Sequence, residues 1–162
     1  MFGWFKNRLV KRMKNLANVA QLITGMTLLK HYRVGEIADE ADQKVRAARA
    51  SAIANYFFGK TSDPIHTRGF DLPALYEEGH QWLQQNEPFR ELVVQSLRVL
   101  STVEYERSGN ATVVGEELLV KFGREFPSSP SPETYEALIE KAIASLAPAD
   151  QQRVQLWKRT GR

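Results

Sequence analysis

Apolar side chains recur at helical intervals almost from the first residue. At 100° per residue, Phe2, Phe5, Leu9, Met13, Leu16 and Ala20 share one narrow face. Arg8, Lys11, Lys14, Asn15 and Asn18 occupy the opposite side, and Lys6 and Arg12 flank the stripe. From Leu22 to Leu29 the chain is apolar nearly all round, a pattern that predicts burial against the rest of the protein or a partner. Gly25 weakens that run, since glycine costs about 1 kcal/mol inside a helix. Gly35 is the natural terminator.

The same period continues to the end, and no stretch alternates as a strand would. A second helix is predicted from Glu36 to Phe57 with the stripe Ile37, Ala41, Val45, Ala48 and Ala52, closed by Tyr56 and Phe57. Asp71 caps a third, with Pro73 in its first turn and Leu72, Leu75, Gly79, Trp82 and Leu83 inward. Asn86 and Pro88 open a fourth through Phe89, Leu92, Val93, Leu97, Leu100 and Val103. A fifth covers Thr112 to Phe126. After the Ser/Pro-rich linker 127–132, Ser131-Pro132 starts a sixth helix through Tyr135, Leu138, Ile139, Ala142, Ile143 and Leu146. Pro148 opens a short seventh, with Val154 and Trp157 inward. The fold expected is all-α: about seven helices in a compact antiparallel or orthogonal bundle.

Charge divides this pattern into two parts. Lys6, Arg8, Lys11, Arg12, Lys14, Lys30 and Arg33 precede the first carboxylate, Glu36, although the whole chain carries only +3. The remainder is therefore net acidic, and the sequence reads as a basic amphipathic N-terminal segment, 1–33, on a helical body, 34–162. Such a polarity steers association with something anionic and says little about fold. The apolar stretch Leu16–Leu29 is broken by Asn18, Gln21 and Thr24 and falls short of the roughly 20 residues a spanning helix needs. No signal-peptide pattern follows it. A mitochondrial transit peptide fits the composition better, but the reading adopted is a permanent functional head. Expected localisation is cytoplasmic, peripheral to a membrane, with an organellar matrix as the alternative. Without cysteine, disulfides, thiolate metal sites and a cysteine nucleophile are excluded.

Few constellations carry chemistry. Glu77-x-x-His80 has the spacing of a carboxylate-bridged metal site but lacks the second such pair that those sites require, so no metal and no cofactor is expected. Gly59-Lys60-Thr61 resembles the end of a phosphate loop, yet position 54 is alanine and a helix precedes it. Lys60, Asp63, His66 and Arg68 gather within one connection, where a histidine beside a carboxylate and an arginine suits acid–base work or anion binding.

The head offers more. Phe2, Trp4, Phe5 and Leu9 mixed with Lys6, Arg8, Lys11, Arg12 and Lys14 is the composition of an interfacial helix. Trp4 alone falls nearer the polar side and has no assigned role. The function expected is a non-enzymatic interaction or adaptor protein, attached by this helix to an anionic membrane surface or a larger protein assembly. An enzyme or small-ligand-binding protein using the 60–68 loop is the alternative. A nucleic-acid-associated protein ranks below both membrane and protein docking, because the body is acidic and no recognition module is legible.

Overall fold

A computed structural model describes residues 2–61, 64–65, 67–110 and 114–160, the side chains of Phe2 and Phe5 excepted. Among these residues it is an all-α bundle of seven helices: α1 (Phe2–His31), α2 (Glu40–Phe57), α3 (Leu72–Gln85), α4 (Glu87–Ser108), α5 (Glu116–Phe122), α6 (Pro132–Ala144) and α7 (Pro148–Thr160). None of them is long and apolar enough to cross a membrane.

α1 and α4 form the centre and run antiparallel. Lys6 meets Glu106 at one end, and at the other His31 lies against Trp82, which packs on Phe89. The α2–α3 pair covers one side of them and α6–α7 the other, with α5 laid on α4. Their neighbours explain the two all-round apolar runs. In α1, Leu16, Ala17, Val19, Ala20, Ile23, Thr24 and Leu28 are buried. In α4 every residue from Leu92 to Leu97 is. The polar members of these runs are satisfied without leaving their helices or their immediate neighbours. Thr24 Oγ1 donates to the Ala20 carbonyl at 2.8 Å, and Ser96 bonds the buried Tyr135 hydroxyl at 2.5 Å.

Capping residues set the helix starts. Asp71 accepts from the Ala74 amide at 3.4 Å and Ser131 from the Thr134 amide at 3.1 Å. The two hairpins that follow are matched in register. Leu75, Gly79, Trp82 and Leu83 occupy the buried positions of α3 that Tyr135, Ile139, Ala142 and Ile143 occupy in α6. Pro88 and Pro148 then stand at corresponding places in the next helices. Gly79 has a packing reason: a Cβ there would meet Phe57 at 3.0 Å and Ile53 at 3.1 Å, so an alanine would require α2 side chains to give way by a few tenths of an ångström. Two arginines of α4 secure the connection beyond α5. Arg98 donates to the carbonyls of Gly123, Phe126 and Ser128, while Arg90 forks onto Glu125 and also bonds the last carbonyls of α3.

Three expectations are corrected. α1 ends not at Gly35 but at His31, where Arg33 takes the left-handed conformation (φ 58°) and a 3-10 turn, Val34–Glu36, follows. α2 starts at Glu40 behind the cap Asp39, and its buried positions are Ala50, Ala52, Ile53, Ala54 and Phe57, with Val45 half-exposed. Ala52 and Phe57 are buried as expected, but Ala41 and Val45 are exposed and Ile53 was missed, because alanines mark no face. α5 is a short helix finished by a 3-10 turn, Gly123–Glu125, and Thr112, its expected start, lies outside the described residues.

Candidate docking face

Three turns of α1 precede its entry into the core. Here the apolar stripe is only partly consumed. Met13 packs on the core, whereas Leu9 stays 47% exposed, beside an apolar groove of about 300 Å³ between α1, α4 and the 129–132 connection. The sequence boundary between head and body does not coincide with a packing boundary, since residues 16–28 belong to the same core as α2, α4 and α6. The part of α1 outside that core is therefore residues 2–12.

The five cations from Lys6 to Lys14 fall into two sets. Lys6 is held 2.6 Å from Glu106 at the end of α4, and that carboxylate raises its pKa. Arg12 bonds Glu136 at 3.0 Å and Glu133 at 3.5 Å, at the start of α6, with the same effect. These pairs are solvent-exposed and orient their side chains, with little effect on stability. Arg8, Lys11 and Lys14 are exposed and make no ion pair among the described residues. Trp4 is 60% exposed, with the Arg8 guanidinium 5.3 Å from its ring centroid. Trp4, Arg8 and Lys11 follow one another at helical spacing, so the tryptophan that had no place on the apolar stripe sits on the cationic face instead.

Only two of the four loop candidates are described. Lys60 Nζ turns back to Gln21 of α1 at 2.6 Å, and Arg68 is exposed; Asp63 and His66 lie outside the described residues.

Glu77-x-x-His80 belongs to a different arrangement from the one its spacing invited. His80 Nδ1 is 3.9 Å from Glu77 but 3.1 Å from Lys121 Nζ of α5, and its Nε2 lies 2.6 Å from Tyr56 Oη of α2. Tyr56 in turn donates to Glu117 and stacks on Tyr76 at 4.0 Å. One proton assignment satisfies every bond: Lys121 donates to Nδ1, Nε2–H donates to Tyr56, and Tyr56 donates to Glu117. Burial, then the Lys121 charge, lowers the His80 pKa, while burial and the Glu117 carboxylate raise that of Tyr56. A neutral imidazole with both nitrogens engaged and a phenol that holds its proton tightly form a clasp between α2, α3 and α5. No group of three metal-ligating side chains gathers among the described residues.

Sequence reading found Glu77 and His80 but neither Tyr56 nor Lys121 as their partners. It likewise missed Glu106, Glu133 and Glu136 as partners of the head. Partners this distant along the chain leave no periodic signal. Comparison of the chain with protein-family models, curated proteins and solved structures finds no match.

Proposed function

We propose that the protein is a non-enzymatic docking module that attaches reversibly to an anionic membrane surface through the outward face of α1. One observation carries the reading: a largely exposed tryptophan shares a helix face with cations that have no ionic partner among the described residues. A Trp ring with an apolar body and a polar edge suits the headgroup region, and neighbouring Lys and Arg suit anionic lipids. Because the apolar stripe from Met13 onward faces the core, the attraction is mainly electrostatic and not driven by insertion.

Arg8, Lys11 and Lys14 at about 1 kcal/mol each supply roughly 3 kcal/mol, about two orders of magnitude in affinity. Contact of this kind is weakened by salt, whose screening length is about 10 Å at 0.1 M.

Co-sedimentation with phosphatidylcholine vesicles, with and without phosphatidylglycerol, tests the proposal. The protein should pellet with the anionic vesicles only. Trp4→Ala should reduce binding, and the triple change of Arg8, Lys11 and Lys14 to Gln should abolish it with the melting temperature unchanged. Equal sedimentation of the protein and the triple variant refutes the reading. So does binding to neutral vesicles alone, and competition by single-stranded DNA that removes all binding would point to nucleic acid instead.

A further inference from the structure

α1 and α7 enclose a groove of about 470 Å³ whose walls are charged and whose floor is not. Arg8, Lys11 and Arg12 reach into it from α1 and Lys158 from α7, against one lining carboxylate, Glu136. The floor is Leu16 and Val19, both buried, with the half-buried Trp157 beside them. Cations over an apolar floor match an amphiphilic anion better than a bare one: the charged part meets the rim while its carbon skeleton covers the floor.

The cations are unequally committed. Arg12 is shared with Glu133 and Glu136, and Lys158 pairs with Glu140. Lys11 has no ionic partner among the described residues, and Arg8 is engaged by the Trp4 ring. Positive charge in excess of its counter-charges thus collects at the end of the groove nearest the docking face. The volume exceeds what a phosphate ion alone would fill.

We infer that this groove seats the phosphate and glycerol of one anionic phospholipid headgroup, with Arg8 and Lys11 on the phosphate, Lys158 turning from Glu140 to join them, and Trp157 under the glycerol. The inference rests on the docking proposal and adds a discrete lipid site to it. Lys158 separates the two, because it lines the groove from α7 and is no part of the α1 face.

The test uses the full chain and three probes: vesicles of phosphatidylcholine with phosphatidylglycerol, water-soluble dihexanoyl phosphatidylglycerol, and inorganic phosphate. Backbone amide shifts induced by the soluble lipid should concentrate at residues 8–19 and 157–158, and phosphate should produce far smaller ones. Lys158→Gln should weaken soluble-lipid and vesicle binding by about fivefold, the effect of one cation near an anionic surface, and Lys158→Arg should restore it. Soluble-lipid shifts that avoid the groove, or Lys158→Gln binding vesicles as the unaltered protein does, overturn the lipid site and leave docking intact. Equal shifts with phosphate overturn the lipid as the source of the anion. Failure of the unaltered protein to bind any anionic vesicle removes docking and the site together. The shift map on the unaltered protein decides the matter even where substitution at Lys158 disturbs α7.

Discussion

Changing Ser96 to alanine removes one oxygen from the middle of the bundle and strands another. Tyr135 Oη lies 2.5 Å from Ser96 Oγ, both residues have no exposed surface, and burial already drives the tyrosine pKa upward. A buried polar group left without a partner costs about 1–3 kcal/mol. Ser96→Ala should reach that range because the phenol has nowhere to turn. Tyr135→Phe should fall at its low end, because a helical serine can rotate onto the carbonyl four residues back. Thr24, Thr27, Ser101 and Thr102 all do so in this protein. The double variant removes both polar atoms and should cost less than the two single changes together, with a coupling of at least about 1 kcal/mol. Urea unfolding of the four proteins measures this, with an unchanged slope as the sign that only stability has moved. In thermal melts each kcal/mol should appear as about 2–4 °C for a chain of this size. Single effects that add to within about 0.5 kcal/mol would refute the argument, because they would mean that neither hydroxyl depends on the other.

Three further outcomes follow from the same geometry. His80, whose pKa is lowered from 6.5 in the folded state, should make stability complete above that pH and progressively lost as pH falls below it, since the unfolded chain then binds the proton first. Melting temperature against pH should show this decline in the unaltered protein and a flatter profile in His80→Gln. Gly115 has φ 63° and a Cβ there would lie 2.7 Å from Leu97, so Gly115→Ala should cost about 1–3 kcal/mol in urea unfolding; a neutral result would mean that α5 is free to shift. Removing the charges of Glu133 and Glu136 together should strengthen binding to anionic vesicles severalfold, at about 1 kcal/mol per charge near the surface, and unchanged affinity would place the start of α6 away from it.

Local chemistry was legible in the sequence, and distant chemistry was not. Asp71, Ser131 and the prolines after them announce their helices within a few residues, and the bulky stripes of α3 and α6 give their buried faces directly. The first half of α2 misled because small side chains are compatible with either face, and only its packing between α1 and α3 selects Ala50, Ile53 and Ala54. Thr24 looked like an interruption in an apolar run, yet a threonine that bonds its own helix can be buried at little cost. The basic stretch of the head could be read off directly. Which of its cations would be free could not, since Glu106, Glu133 and Glu136 approach only when α4 and α6 fold against α1.

The uninterrupted course of α1 has a mechanical consequence. Thirty helical residues form a rod about 45 Å long, one end bearing the cationic face and the rest clamped among α2, α4, α6 and α7. A flexible tether would let the body tumble above whatever it held. A rod gripped along most of its length fixes the roll of the entire bundle, laying α1 down with the α7 side beside it and turning the α2–α3 side outward. Attachment would then also be presentation, with the same surface of the protein always offered to the solution.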